Sequence, residues 1–152
     1  MLVFLLRLCR PFSDDLTERW RQGETGFPLI DAAMRSLKSS GWLHPALRSL
    51  TAEFLCGVLH QPSEHGIVWF ATQQTDFDPA LNEGNWQTAA RNARRRSIDI
   101  IQTARRLDPD GTFVRRHIPE LAHLPVNLVH TPWLASSEID AHGYPPPVVV
   151  AP

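Results

Sequence analysis

The chain has 152 residues, of which 43% are apolar and 20% are charged, and its formal net charge is −1. These values are typical of one ordinary globular domain. They exclude a collagen-like, coiled-coil or wholly disordered chain, because there is enough apolar surface to form a core. No apolar run approaches the roughly 20 residues of a membrane-spanning helix, so we expect no membrane partner.

Cysteine and histidine content bears on two further classes of site. The two cysteines, Cys9 and Cys56, lack metal-ligand spacing and suit a reducing, cytoplasmic compartment. The seven histidines are scattered, and none pairs with a carboxylate at ligand spacing. We therefore expect no metal site.

Start and stop signals predict two helices near the N-terminus. Ser13, followed by two aspartates, is a typical N-cap, and Gly23 ends this short helix. Residues 1–19 are interpreted as a lead-in helical region. Pro28 is a favoured first helical residue, and the second helix is expected to run to about Gly41.

Two more helices are predicted in the middle of the chain. The third starts at Pro45 and ends before Pro62, and Ser63 can cap the fourth. Apolar residues at spacings of three and four give the third helix one broad apolar face. That face is formed by Leu47, Leu50, Phe54, Leu55, Val58 and Leu59.

The C-terminal half continues the helical pattern. Asp78 caps a fifth helix that carries Trp86, and a sixth is expected over the arginine-rich stretch to about Leu107. A short seventh helix is expected around residues 112–117. Residues 135–152 are interpreted as a proline-rich extended tail. With no internal repeat of 20–50 residues, the predicted fold class is an all-α, non-repeat helical domain.

Positive charge is concentrated in one part of the chain. Residues 91–116 hold eight arginines against three aspartates. A guanidinium suits phosphate better than an ammonium does, so this stretch could bind a phosphate-bearing partner such as DNA, with Arg94, Arg95 and Arg96 as candidates. The simpler interpretation is a solvated helix face with intrahelical ion pairs.

Ordered motifs extend over most of the chain. Residues 20–37 read WRQGETGFPLIDAAMRSL, and GWLH at 41–44, DPDG at 108–111 and PEL at 119–121 follow in order. This series resembles the motifs of the DNA photolyase/cryptochrome family of flavoproteins. The resemblance implies that residues 20–134 form the C-terminal part of an all-helical FAD-binding domain. The family uses light to drive electron transfer from flavin to a pyrimidine dimer in DNA, or to sense blue light.

The resemblance also implies residue roles. Arg48 and Asp76 would form an ion pair beside the isoalloxazine ring, and Asp76 and Asp78 would contact the polar edge of the flavin and ribityl chain. Asn82 would lie near flavin N5. Trp86 would donate an electron to the photoexcited oxidised flavin. A buried Arg–carboxylate pair would be bidentate, which would fix the orientation of a planar ring.

Simpler interpretations of the same residues stay open. From the residues alone a core aromatic is the favoured interpretation of Trp86, and Asp76 and Asp78 could be helix caps before Pro79; only their place in the ordered motifs favours the roles above. Several positions depart from the family pattern, and the change at Ser63 leaves Trp86 without the family's next tryptophan. The lesion-facing changes are Pro45, Ala46, Ser49 and Thr88.

Other departures concern the cofactor. Residues 91–96 stand where the family has a glycine-rich loop, and the 152 residues contain neither the family's antenna domain nor its phosphate-binding loop. We therefore expect reduced FAD affinity and impaired repair by this chain alone, or a separately encoded N-terminal half as partner. The alternatives are a non-catalytic helical remnant, an arginine-rich nucleic-acid or protein interaction module, or a fragment without a stable fold that leaves the third helix's apolar face exposed.

Overall fold

The computed structural model describes residues 14–136 and 143–150, and within them it is all-helical. Predictions on Cys9 and Ser13 lie outside the described residues. The helices in chain order are α1 (Asp14–Gln22), α2 (Pro28–Ser40), α3 (Pro45–Glu53), a π-helix (Phe54–Val58), α4 (Ser63–Gln73), α5 (Pro79–Arg95), α6 (Ile100–Leu107) and α7 (Thr112–His117), followed by short 3₁₀ turns at Pro119–Leu121 and Pro132–Leu134.

The proline and aspartate start signals are confirmed. Pro28, Pro45 and Pro79 each stand in the first turn of a helix, where a missing N–H costs nothing. Asp78 caps α5, because its carboxylate accepts the N–H of Leu81 at 2.8 Å. The cap predicted at Ser63 is wrong. Ser63 is already helical, and the preceding Pro62 offers no side-chain acceptor.

The predicted division between the fifth and sixth helices is also wrong. Helix α5 continues from Trp86 through Arg95, because alanines, arginines and polar residues without glycine or proline favour continuation. The break comes later, where Asp99 caps α6 by accepting the N–H of Gln102 at 2.8 Å. Residues 91–95 therefore share one helix with Trp86.

The core is formed where α3 and α4 pack against α5, and where α2 packs against α7. The apolar face of the third helix is covered by the chain itself. Leu50, Phe54, Leu55 and Leu59 are all buried, because the helix continues as the π-helix against α5. A fragment without a stable fold would leave this face exposed. Within the described residues these four side chains are buried instead. No helix in residues 14–136 or 143–150 is long and apolar enough to cross a membrane.

The predicted domain limits fall on different kinds of structure. The limit between residues 19 and 20 lies inside α1, so the described part of the lead-in region is continuous with the helix that carries Trp20. At the other end, Tyr144 is buried, and the N–H of Val148 donates to the carbonyl of Thr25 at 2.9 Å. The described part of the tail has neither helix nor strand and packs against the turn before α2.

Candidate functional site

A hollow of about 320 Å³ lies between α3 and α5 and is closed at one side by the segment that joins α4 to α5. All five residues predicted for the flavin site line it. They are Arg48, Asp76, Asp78, Asn82 and Trp86. Residues separated by up to 38 positions in sequence thus surround one space, and their side chains combine a cation, two carboxylates, an amide and an indole.

Arg48 and Asp76 form an ion pair at the mouth of the hollow. Arg48 Nη2 lies 2.7 Å from Asp76 Oδ2, and Arg48 Nε donates to the carbonyl of Leu43 at 2.5 Å. The pair is not the buried bidentate pair that was expected. Only one guanidinium nitrogen contacts the carboxylate, and 47% of the Asp76 side chain is exposed. The second carboxylate oxygen is therefore available to a ligand or to water.

Asp78 and Asn82 stand one turn apart on α5. Asp78 combines the two roles left open by the sequence, because its Oδ1 accepts the N–H of Leu81 while the residue lines the hollow. Asn82 is buried, and its Nδ2 donates to the carbonyl of Ile67 at 3.2 Å. That bond fixes the amide plane, so the orientation of its polar atoms is set before any ligand binds.

Trp86 forms the aromatic floor of the hollow. It is buried and packs edge-on against Trp20 and Phe70, with ring centroids 6.0 and 5.1 Å apart. Gly66 of α4 lies directly against the indole, so closely that a Cβ atom there would overlap the ring. Trp86 is thus both a core aromatic and a wall of the hollow, and the two interpretations made from sequence are compatible.

The three candidate arginines lie away from this hollow. Arg94, Arg95 and Arg96 follow Trp86 by two or more helical turns and line a separate, basic depression. Arg96 Nη2 lies 3.6 Å from Glu53 Oε2. The expectation of intrahelical ion pairs is not met for these arginines, because no carboxylate of α5 or α6 forms a salt bridge with them among the residues that the structure describes.

Some lining residues were missed by sequence reasoning. Asn85, Gln74 and Phe70 also line the hollow. Asn85 follows Asn82 by three residues, so helical spacing placed both on one face of α5 and could have revealed it. Gln74 lies at the end of α4, where no periodic pattern marks it, and only the packing of α4 on α5 brings it to the hollow.

The motif at residues 20–37 forms a separate, buried polar cluster. The carboxylate of Asp31 accepts hydrogen bonds from the N–H and hydroxyl of Thr25, at 2.8 and 2.6 Å, from the N–H of Gly26 at 2.9 Å, and from the hydroxyl of Tyr144. Gly26 has φ +80° and touches Pro146, a conformation and approach that a side chain would prevent. Burial raises the pKa of Asp31 to about 6, although these hydrogen bonds act to lower it.

The residues of the hollow suit part of a flavin. A volume of about 320 Å³ is near the lower end of the roughly 300–1,000 Å³ of ligand pockets. The hollow is large enough for a ring system and not for a whole dinucleotide. Its indole floor suits a planar ring, and its amide, carboxylates and guanidinium suit the donors and acceptors along a flavin edge.

The fold and site define a helical flavin-binding domain, and comparisons with known proteins agree. Residues 8–151 match the family model of the FAD binding domain of DNA photolyase. The chain belongs to the photolyase/cryptochrome family, whose cofactor, by this resemblance, is FAD.

Curated relatives and solved structures cover nearly the whole chain. Cryptochrome-1 of Anopheles gambiae is 44% identical over 92% of this chain and 28% of its own length, and the deoxyribodipyrimidine photo-lyase of Alkalihalophilus pseudofirmus is 42% identical over 82% and 27%. An archaeal photolyase from Sulfolobus tokodaii, solved with two FAD molecules, superposes with a TM-score of 0.84 at 33% identity, over 95% of this chain and 33% of that one. A Synechocystis cryptochrome superposes with a TM-score of 0.85 at 35% identity, over 92% and 32%. The chain thus spans about a quarter to a third of these proteins.

Proposed function

We propose that the Arg48–Trp86 hollow is one wall of a flavin site, and that the chain serves light-driven electron transfer of the photolyase or cryptochrome type. One observation carries the proposal: all five residues assigned by the resemblance line a single hollow. The residues come from α3, from the segment before α5 and from α5, and they bring a cation, two carboxylates, an amide and an indole to one space.

Each residue has a physical task in this proposal. Arg48 and Asp76 form a polar rim in which one carboxylate oxygen is left for the ring edge. Asn82 presents an amide that is held by Ile67 and adds no charge beside the ring. Trp86 donates an electron from an indole that is already shielded from water. FAD, when bound, supplies the light absorption and one-electron chemistry.

The lesion-facing side is less complete than the cofactor-facing side. Pro45 and Ser49, two of the lesion-facing positions that depart from the family pattern, line the hollow. A base taken out of a duplex needs stacking and edge hydrogen bonds that offset a few kcal/mol of unpairing, and neither residue stacks. We therefore propose flavin binding, and electron donation by Trp86, with weak or no dimer repair by this chain alone.

The proposal extends to partner and location. Exposed Leu81 at the rim of the hollow marks an open side, which a further segment of a longer chain or a separately encoded N-terminal half would cover. The half-buried thiol of Cys56 is free, which suits a reducing compartment, so the proposed location is cytoplasmic.

Flavin titration tests the proposal directly. The purified chain is titrated with riboflavin and with FAD while flavin fluorescence is followed, and saturable quenching is expected because Trp86 can donate an electron to an excited ring in the hollow. Trp86→Phe should reduce the quenching at saturation and leave the affinity within about twofold. Arg48→Gln should weaken affinity by about tenfold, the effect of one charge-assisted hydrogen bond.

Trp42→Phe is the matched control, because Trp42 is exposed and lies outside the hollow. It should change neither quenching nor affinity. Circular dichroism melts separate a loss of fold from a loss of binding. Absence of saturable binding by the folded wild-type chain, or equal loss of quenching in Trp42→Phe and Trp86→Phe, would reject the proposal.

A further inference from the structure

A second hollow, of about 380 Å³, lies where the C-terminal end of α5 meets the loop after the π-helix. Its charged and polar lining consists of Arg94, Arg95, Arg96, His60 and Ser97. No aspartate or glutamate lines it among the described residues. Three exposed arginines therefore border one concave surface together with a histidine and a serine.

The guanidinium groups in this basic hollow are largely unpaired. Arg96 forms one long contact of 3.6 Å with Glu53, and Arg94 and Arg95 form no salt bridge within the described part of the chain. Two other acids line adjoining hollows: Glu64 shares one with Arg94, and Asp99 shares another with Arg96. Attraction to the C-terminal end of α5 helps to explain arginines in its last turn, but it does not explain why His60 and Ser97 join them from other segments.

Backbone geometry fixes the shape of the basic hollow. His60 has φ +55°, and it is the one residue other than glycine with a positive φ in the described ranges. The hydrogen bonds from Leu59 N to Phe54 O and from Gln61 N to Leu55 O, each 3.0 Å, hold it there. A strained backbone conformation persists only where the surrounding structure enforces it. Such conformations, like π-helices, are frequent at binding sites.

Close packing brings the two halves of the basic hollow together. Gly57 of the π-helix lies against Ala93 of α5, and a Cβ atom at Gly57 would come within 3.0 Å of the Ala93 methyl group. The small residues let the His60 loop approach the arginines. The hollow is therefore formed by tertiary contact and is not a feature of one helix face.

We propose that this basic hollow is a phosphate-binding site, which takes the terminal phosphate or diphosphate of a nucleotide. A guanidinium binds phosphate oxygens through paired N–H donors, and a phosphate group carries about −1.5 to −2 charges at neutral pH. The position of three arginines around one hollow favours a compact phosphate group over the backbone of a long strand. The site is open to water, so binding should weaken as salt rises. This inference does not depend on the flavin assignment, because none of its residues lines the Arg48–Trp86 hollow.

Calorimetric titration with inorganic pyrophosphate tests the site, first at low salt and then at physiological salt. The wild-type chain should bind one equivalent. The double variant Arg94→Gln/Arg95→Gln should bind at least about tenfold more weakly, because two charge-assisted contacts are lost. The double variant Arg94→Lys/Arg95→Lys should show an intermediate loss of affinity. Lysine keeps the positive charge but lacks the planar guanidinium that binds phosphate through two N–H donors.

Arg91→Gln is the matched control. Arg91 lies on the same helix and outside the basic hollow. Arg91→Gln removes one positive charge where the double variant removes two, and its affinity for pyrophosphate should stay within about twofold of wild type. Competition by ADP and by a short 5′-phosphorylated oligonucleotide then distinguishes a free nucleotide from a nucleic-acid end, and either result supports the site. No saturable binding by the wild type, or equal loss in Arg91→Gln, would overturn the proposal. So would strand binding that pyrophosphate does not displace, because it would indicate a diffuse basic surface.

Discussion

The carboxylates of Asp31 and Asp76 show two uses of one chemical group in the same molecule. Asp31 is buried, and four donors from the chain itself converge on its two oxygens. Asp76 has one contact, with Arg48, and nearly half of its side chain is exposed. The first cluster is complete without a ligand and stabilises the fold, whereas the second has unused polar atoms beside a hollow.

Removal of the Asp31 carboxylate should have the largest effect. Asp31→Ala leaves four donors without their acceptor in the interior, and each unsatisfied buried donor costs about 1–3 kcal/mol, so a loss of at least about 4 kcal/mol is expected. Urea unfolding followed by circular dichroism measures it. Asp76→Ala is the matched comparison and should cost about 1 kcal/mol or less. Similar losses in the two variants would remove the distinction between the clusters.

The Asp31 cluster should also make the stability of the fold depend on pH. Burial raises the pKa of Asp31 in the folded state to about 6, above its ordinary value of 3.8. The folded state therefore holds the proton more tightly, and stability should fall as pH rises from about 4 to about 6 and then level off. The loss is on the order of 3 kcal/mol.

Comparison with Asp31→Asn isolates this contribution, because the variant keeps the shape and removes the titration. As pH rises from about 4 to about 6, the free energy of unfolding of the wild type should fall relative to that of Asp31→Asn. A constant difference from pH 4 to pH 7 would contradict the assignment.

Two glycines test how the floor of the Arg48–Trp86 hollow is packed. Gly66→Ala places a methyl group against the Trp86 ring, and overpacking of this kind costs about 1–3 kcal/mol. Gly84→Ala, in the exposed interior of α5, has open space around it and should gain about 0.5–1 kcal/mol from helix propensity. Thermal melts and the near-ultraviolet circular dichroism of tryptophan measure both, and a stabilising Gly66→Ala would show that the indole is free to move.

The exposed ion pair should have the smallest effect on stability and a separate effect on binding. Asp76→Asn should change the free energy of unfolding by no more than about 1 kcal/mol, because one partner is solvated. It should nevertheless weaken riboflavin binding, since a charged acceptor at the rim is lost. Asp110→Asn, an exposed aspartate outside the hollow, should change neither quantity. Equal riboflavin affinity in wild type and Asp76→Asn would exclude Asp76 from the site.

Local signals predicted the helix starts well and the helix breaks less well. Pro28, Pro45 and Asp78 act through their own backbone geometry and hydrogen bonds, so their positions could be read without knowing the fold. The division within α5 was misplaced, although Asp99 carried a cap signal before Ile100 that would have located the break. The π-helix after Glu53 has no such signal, because it arises where α3 continues against α5.

The candidate site shows the same division between local and long-range information. Resemblance to a family supplied the five hollow residues, and helical spacing could have added Asn85. Neither revealed that the Arg48–Asp76 pair is open to solvent, since exposure depends on which segments cover it. Nor could sequence show that Tyr144 donates to Asp31, because 113 residues separate them.

By itself, the amino-acid sequence determined the helical class, the principal helix starts and the family, because these depend on residue types at short spacing and on ordered motifs. Tertiary structure alone decided which carboxylate is buried, which arginines share a hollow with His60, and how Trp86 can be both core and wall. Those properties arise from packing between distant segments, which sets burial and therefore the free energy of every polar group.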